Sequence, residues 1–167
     1  MTAMRITGGC QCGAVRYALH EPPRGPHICH CRMCQKAFGN FFAPLLTVSL
    51  AGFELTRGEL AVFMSSDVTE RGFCRACGTP LTMHDVGDTE ICVSIGSLDE
   101  PAKVVPAHQY GIESRLPYFA VLATLPGATT TEDDIPEKAA AIARSNHQHP
   151  DHDTEAWPPV RPDNRHD

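Results

Sequence analysis

The sequence contains few aromatic and few basic residues, and it has no long hydrophobic run. Phe, Tyr and Trp make up 7% of its 167 residues, and 14 Lys and Arg stand against 20 Asp and Glu, for a formal net charge of −6. This shortage of positive charge argues against a nucleic-acid-binding protein, because neutralising phosphates requires a basic face. No segment approaches the ~20 apolar residues that a membrane-spanning helix requires. We therefore expect neither nucleic acid nor membrane as a partner.

The first nine residues, MTAMRITGG, lack the apolar run and the small-residue cleavage site of a secretory signal. This predicts a reducing, cytoplasmic location. In such a compartment, eight cysteines in one chain favour metal binding over disulfide bonds.

The spacing of β-like runs and of Gly and Pro predicts a mainly β domain over residues 1–128. Residues 129–146 have Thr and Asp at the start, acidic residues next and an alanine-rich body, which predicts a short helix packed on or beside that domain. Residues 147–167 are rich in Pro, His and other polar residues, so we expect a flexible polar tail with solvated histidines.

Seven of the eight cysteines fall into three groups. A Cys-x2-Cys turn directs two thiolates to one zinc ion, and alternate residues of an extended chain point to the same side, so Cys-x-Cys can share a metal too. A four-plus-three division is favoured: the two flanking pairs would close a tetrahedral structural site. The compact middle triplet would hold a second zinc with an open position, as in catalytic or substrate-binding sites. The groups are Cys10 and Cys12, then Cys29, Cys31 and Cys34, then Cys74 and Cys77.

Two other assignments stay open. His30 or His27, or a distant residue, could close the triplet site and make it structural; otherwise His30 should face outward or donate a hydrogen bond beside the ligands. Alternatively, the last two triplet cysteines could join Cys74 and Cys77 in a zinc ribbon, which leaves the compactness of the triplet unexplained. Cys92 stands alone in an apolar run and is expected to be a buried small hydrophobe.

These motifs resemble those of the glutathione-dependent formaldehyde-activating (GFA) domain proteins, which share the Mss4-like β-tent fold. The resemblance implies two zinc-stapled sheets, the same four-plus-three cysteine sets, and a carbon–sulfur lyase that forms S-hydroxymethylglutathione from glutathione and formaldehyde. Phe38 stands where a small residue is usual and Tyr118 where Trp often stands, and both changes would reshape the pocket beside the second zinc. The matching segments are GGCQCGAVRY, CHCRMCQKAFG, SSDVTERGFCRACGTPL and HQYGIESRLPYF, from Gly8 to about Phe119.

Three thiolates around Zn²⁺ leave a formal charge of −1, so the site is a weak activator of water and suits a soft fourth ligand. A small-molecule thiol such as glutathione fits, because metal binding lowers its pKa. The alternative is a zinc-dependent thiol- or peptide-binding module without turnover. A redox or zinc sensor is less favoured, since zinc ligation protects thiolates from oxidation.

Glutathione also carries two carboxylates and one ammonium group. Of five basic residues in or near the motifs, Arg71 and Arg115 each stand in an otherwise apolar motif and are the expected carboxylate partners. Glu113 is the expected partner of the ammonium group. His108 and Tyr110 are the expected proton carriers for the alkoxide of an attacked aldehyde. The sequence gives no prediction of oligomeric state.

Overall fold

The computed structural model describes residues 4–129 and 136–156. Within these residues, ten strands form two sheets, with two α-helices and five short 3-10 helices, so the predicted mainly β fold with a C-terminal helix is confirmed. The strands are β1 (Ile6–Gly9), β2 (Arg16–Leu19), β3 (Arg24–Cys29), β4 (Ala43–Ser49), β5 (Phe53–Arg57), β6 (Ala61–Met64), β7 (Thr69–Phe73), β8 (Pro80–Asp85), β9 (Glu90–Ser94) and β10 (His108–Tyr110). The α-helices are α1 (Arg32–Phe38) and α2 (Pro136–Ser145), and the 3-10 helices are Leu50–Gly52, Ile95–Ser97, Pro101–Lys103, Ile112–Ser114 and Phe119–Thr124.

The smaller sheet has the strand order β1-β2-β5, and the larger sheet has the order β10-β3-β4-β9-β8-β7-β6. All neighbours are antiparallel except β10, which runs parallel to β3. An isolated bridge between Gly8 and Leu98 connects the smaller sheet to the segment that follows β9. Within the described residues, no helix is long and apolar enough to span a membrane.

The two faces of the larger sheet bury different clusters, because side chains alternate along each strand. In β4, Leu46 and Val48 enter the main core, whereas Ala43 and Leu45 belong to a second, smaller cluster on the opposite face. A central strand that is apolar on both faces is expected where both faces are covered. Cys10, Cys12 and Cys74 lie in the main core, while Cys34, with Cys29, Cys31 and Cys92 packed around it, belongs to the second cluster.

Part of the segment predicted to be a polar tail contacts the β domain. His149 is only 4% exposed, so its predicted solvation is wrong, and its backbone N–H donates to Gln11 O at 2.7 Å. Its neighbours His147 and His152 are exposed, as expected. Asp153 accepts hydrogen bonds from Arg16, which is buried. The division at residues 128 and 146 stays a prediction, and the predicted acidic start of α2 falls partly outside the described residues.

Candidate metal centres

The two flanking cysteine pairs meet in the folded chain. The turn between β1 and β2 carries Cys10 and Cys12, the turn between β7 and β8 carries Cys74 and Cys77, and the four sulfurs lie within 4.8 Å of one another. Cys12 Sγ is 3.6 Å from Cys10 Sγ and 3.9 Å from Cys74 Sγ. Tetrahedral zinc with bonds of ~2.3 Å requires sulfurs ~3.8 Å apart, so this set fits a closed zinc site.

The local backbone explains how these turns form. Gly13 and Gly78 directly follow the second cysteine of each pair, and both adopt φ of +78°, which glycine tolerates without a Cβ clash. The N–H groups of these glycines donate to the carbonyls of Cys10 and Cys74, at 3.0 and 2.9 Å, which closes each turn. Val15 N–H also donates to Cys10 Sγ at 3.3 Å.

The thiols of this cluster differ in acidity. Burial raises the pKa of Cys10. Burial also acts to raise the pKa of Cys77, but hydrogen bonds from the Thr79 side chain and backbone outweigh it and lower that pKa to about 6. A metal that binds all four as thiolates must therefore displace protons from the buried ones, which makes its affinity pH-dependent.

The middle triplet forms a second, separate cluster. Cys29 ends β3, Cys31 caps the N-terminus of α1 by accepting from Cys34 N–H at 3.4 Å, and the three sulfurs lie within 4.8 Å of one another. Among the described residues, no His, Cys, Asp or Glu joins them within that distance, so neither histidine closes the site. The zinc-ribbon pairing of this triplet with Cys74 and Cys77 is likewise not formed.

Comparison with known proteins places the chain in a family. The sequence model of the family described as "Glutathione-dependent formaldehyde-activating enzyme" matches residues 5–113, more than half of the chain. The chain belongs to the GFA family. No protein with a curated description matches it. The crystal structure of a Rhodobacter sphaeroides protein, a structural genomics target, is similar with a TM-score of 0.51 and 23% identity over 62% of this chain and 98% of the other. At that identity the likeness supports the fold alone.

Of the two alternatives expected for His30 in this GFA chain, the outward-facing one is wrong, and a hydrogen bond beside the ligands is consistent with its position. His30 is fully buried, with its Nε2 3.0 Å from Gln109 Oε1 and its ring edge-on to Phe42 and Phe119. His30 directly follows Cys29, the last residue of β3, and its backbone N–H donates to Tyr110 O at 2.8 Å. Nδ1 of His30 has no hydrogen-bond partner among the described residues.

The parallel pairing of β10 with β3 places both expected proton carriers on the face of Cys29. Tyr110 pairs with Cys29 and His108 pairs with His27. The rings of His27 and Tyr110 are 4.9 Å apart, and both His108 and Tyr110 are exposed. Gly111 then brings the chain against the triplet: a Cβ there would lie 2.6 Å from Cys31 N, and its φ is +64°. Only glycine fits this close approach.

Gln35, which the sequence did not indicate, joins three segments around the triplet. Its buried Nε2 donates to His30 O at 2.8 Å and to Ser114 O at 3.0 Å. It therefore holds α1, the end of β3 and the Ile112–Ser114 turn together. Glu113 and Arg115, which flank Ser114, are exposed.

Arg71 lies beside the triplet, and its predicted contact with a carboxylate stays a prediction. The side chain is 7% exposed, Nη2 lies 3.5 Å from Cys34 Sγ, and Nε donates to Ser65 Oγ at 3.2 Å. Nη1 has no hydrogen-bond partner among the described residues. Burial raises the pKa of Cys34, and Arg71 partly opposes that rise. Burial raises the pKa of Cys29 to about 12.

A groove of about 830 Å³ adjoins the triplet, between α1 and the outer strands of the larger sheet. Phe38, the first departure from the family pattern, lines this groove and packs against the triplet cluster. Tyr118, the second departure, instead packs edge-on against Phe41, with ring centroids 5.5 Å apart. The other side chains that line the groove include Arg32, Met33, Lys36, Phe63, Arg71 and Phe73.

Proposed function

We propose that this chain is a zinc-dependent carbon–sulfur lyase that acts on the adduct of a small thiol with an aldehyde. The family description suggests glutathione and formaldehyde as the pair, with S-hydroxymethylglutathione as the adduct. The four-cysteine cluster would hold a structural zinc, and Cys29, Cys31 and Cys34 would hold a second zinc with an open position. We also infer a reducing, cytoplasmic location, where these thiols stay available to metal.

The observation that carries the proposal is the three-sulfur cluster next to a positively charged groove. The triplet offers three ligands among the described residues, and tetrahedral zinc takes four. When bound there, zinc would supply a position at which a substrate thiol becomes a thiolate near neutral pH.

The side chains around this position supply the remaining chemistry. In the lyase direction, the carbon–sulfur bond of the hemithioacetal breaks and its electron pair stays on sulfur. The hydroxyl proton leaves to a base as the carbonyl forms, and we assign that proton transfer to His108 or Tyr110, which share a sheet face with Cys29. In the reverse direction the same group returns the proton to the alkoxide.

The charged groups of glutathione require partners as well. Arg71, beside Cys34, and Arg115 are the proposed carboxylate partners, and Glu113 is the proposed partner of the ammonium group. Arg32 and Lys36 line the groove and provide further positive charge for the same carboxylates.

The test begins with zinc stoichiometry, followed by X-ray absorption at the zinc edge during titration with glutathione. We expect two zinc ions per chain and one site that changes from three to four sulfur ligands. NMR exchange spectroscopy should then show faster exchange of ¹³C-formaldehyde with its glutathione adduct, and His108→Gln or Tyr110→Phe should slow it. Two zinc ions with no added sulfur and no faster exchange would refute the lyase proposal.

A second candidate, a thiol- or peptide-binding module without turnover, is favoured by the exposed apolar side chains of the groove. Met33 is 48% exposed and Phe63 is 62% exposed. Saturable binding of a thiol that adds a fourth sulfur, without faster adduct exchange, would select this candidate.

A further inference from the structure

The groove beside the triplet is large enough to hold an S-substituent bulkier than hydroxymethyl together with part of the thiol. Its volume of about 830 Å³ is in the range of pockets that hold drug-sized molecules. A hydroxymethyl group adds one carbon and one oxygen to the thiol, so it would occupy a small part of this space.

The walls of the groove are largely apolar. Phe38, Phe63, Phe73 and Met33 all line it, and two of them are about half exposed or more. A single exposed apolar side chain is ordinary, but several that converge on one concave surface indicate a ligand site. An apolar ligand group would remove them from water.

The charge of the groove points to an anionic ligand. Arg32, Lys36 and Arg71 line it, and no Asp or Glu is among the lining residues within the described part of the chain. Arg71 is only 7% exposed, and its Nη1 has no hydrogen-bond partner among the described residues. An acidic molecule with an apolar portion would complement this surface.

Arg71 and α1 connect the groove to the triplet, although none of the three cysteines lines it. Cys34 follows Met33 on α1, and Arg71, which lines the groove, contacts Cys34 Sγ at 3.5 Å. Arg71 on β7 pairs with Phe63 on β6, so their side chains lie on the same face of the sheet. A ligand sulfur at the triplet would therefore leave its substituent beside this apolar wall.

We propose that the groove holds a bulky apolar S-substituent, so that the substrate is the adduct of an acidic thiol with an aryl or long-chain alkyl aldehyde. The carboxylates of the thiol face Arg71, with Arg32 and Lys36 as further positive charge, and the apolar half lies against Phe63 and Met33. This inference rests on the proposed function, in which a substrate sulfur binds at the triplet. It differs from that function in the aldehyde, which is aryl or long-chain alkyl instead of formaldehyde.

Binding of stable thioethers to the zinc-loaded protein tests the groove without turnover. By calorimetry, S-hexylglutathione and S-benzylglutathione should bind at least about ten-fold more tightly than S-methylglutathione, because each added methylene leaves water. S-hexylcysteamine, which lacks carboxylates, should bind at least about ten-fold more weakly than S-hexylglutathione. Phe63→Ser should remove most of the S-hexyl advantage without unfolding the chain, because Phe63 is exposed.

Val62→Ser is the matched control. Val62 is 53% exposed on the same strand, and its side chain points to the opposite face and does not line the groove. It should leave the S-hexyl advantage unchanged. Equal affinities for the S-methyl and S-hexyl compounds would overturn the inference, even if glutathione adds a sulfur to zinc and the lyase proposal stands. An S-hexyl advantage that depends on Phe63, without any adduct exchange, would support the groove while the lyase proposal fails.

Discussion

Arg71 places a guanidinium nitrogen 3.5 Å from Cys34 Sγ, and both side chains are buried. Three thiolates around one divalent metal carry a net negative charge, which is costly away from water unless a cation or a hydrogen bond compensates it. Arg71 supplies both. It is therefore a positioning residue for the triplet, in addition to its proposed contact with substrate.

Replacing Arg71 with Leu should weaken zinc binding at the triplet by about 10- to 100-fold, as is typical for loss of a hydrogen-bond partner to a metal ligand. The four-cysteine site should keep its affinity, because the hydrogen bonds of Arg71 within the described residues go to Ser65 and Cys34 and not to a sulfur of that site. Competition with a chromophoric chelator, resolved into two classes of zinc, measures both. Arg24→Leu is the control, since Arg24 is exposed and pairs with Glu21 and Glu90. Equal weakening of both zinc classes would contradict this role.

The two cysteine clusters should respond differently to substitution. Cys74→Ser should unfold or aggregate the protein, because a closed zinc site contributes folding free energy directly and Cys74 lies in the main core. Cys31→Ser should leave the fold largely intact and release one zinc per chain. Circular dichroism melts and zinc analysis of both variants measure this. If both variants collapse alike, the triplet is structural.

The cysteine spacing predicted each pair and the triplet, because ligand spacing within a turn is a local property of the chain. The meeting of Cys12 with Cys74, 62 residues apart, followed instead from dividing seven thiols into four and three. The groove was not predicted, because it depends on long-range register. Phe63 reaches the face of Arg71 only through the pairing of β6 with β7, and a slip of one residue would turn it to the opposite face. The role of Gln35 and the burial of His30 depend on tertiary contacts in the same way. The burial of His149 was not predicted either. The polar composition of residues 147–167 predicts solvation, but it does not show whether the segment packs on the β domain.

The buried ion pair between Arg16 and Asp99 should make stability pH-dependent. Burial acts to raise the pKa of Asp99, but hydrogen bonds from Arg16 and Thr7 outweigh it and leave the pKa lowered in the fold. The folded state thus binds its proton less readily than the unfolded chain does. This carboxylate therefore stabilises the fold fully above its unfolded pKa of ~3.9, and that contribution is lost as the pH falls through the lower, folded pKa.

Asp99→Asn should accordingly lower the free energy of unfolding by about 2 kcal/mol at pH 7, where Asp153 still partners Arg16. The difference from the wild type should shrink steadily below about pH 4. Urea unfolding at a series of pH values measures it, and zinc loss at low pH affects both proteins alike. Asp67→Asn, at an exposed position, should show little difference at any pH. A pH-independent effect of Asp99→Asn would contradict the assigned cause.

The docking of the C-terminal segment can be tested through Gly13 and His149. A Cβ at Gly13 would lie 2.6 Å from His149 Cγ, and Gly13 also has φ of +78°. Gly13→Ala should therefore cost about 3 kcal/mol in the wild type, from the left-handed backbone and the clash together. In a His149→Ala background the clash with the ring is absent and only the contact with the Cβ of residue 149, at 2.8 Å, remains, so the cost should fall toward the ~1–2 kcal/mol of the left-handed backbone.

A double-mutant cycle on the zinc-loaded protein, measured by chemical denaturation, should give a coupling energy of at least about 1 kcal/mol. His147→Ala is the matched control, because His147 is exposed and only two residues away, and its cycle with Gly13→Ala should be additive. Additive effects for His149 as well would mean that residues 149–154 do not pack on the cysteine turn in solution. Coupling confined to His149 would identify this segment as a cover of the four-cysteine site, and chelators should then remove zinc faster from His149→Ala than from His147→Ala.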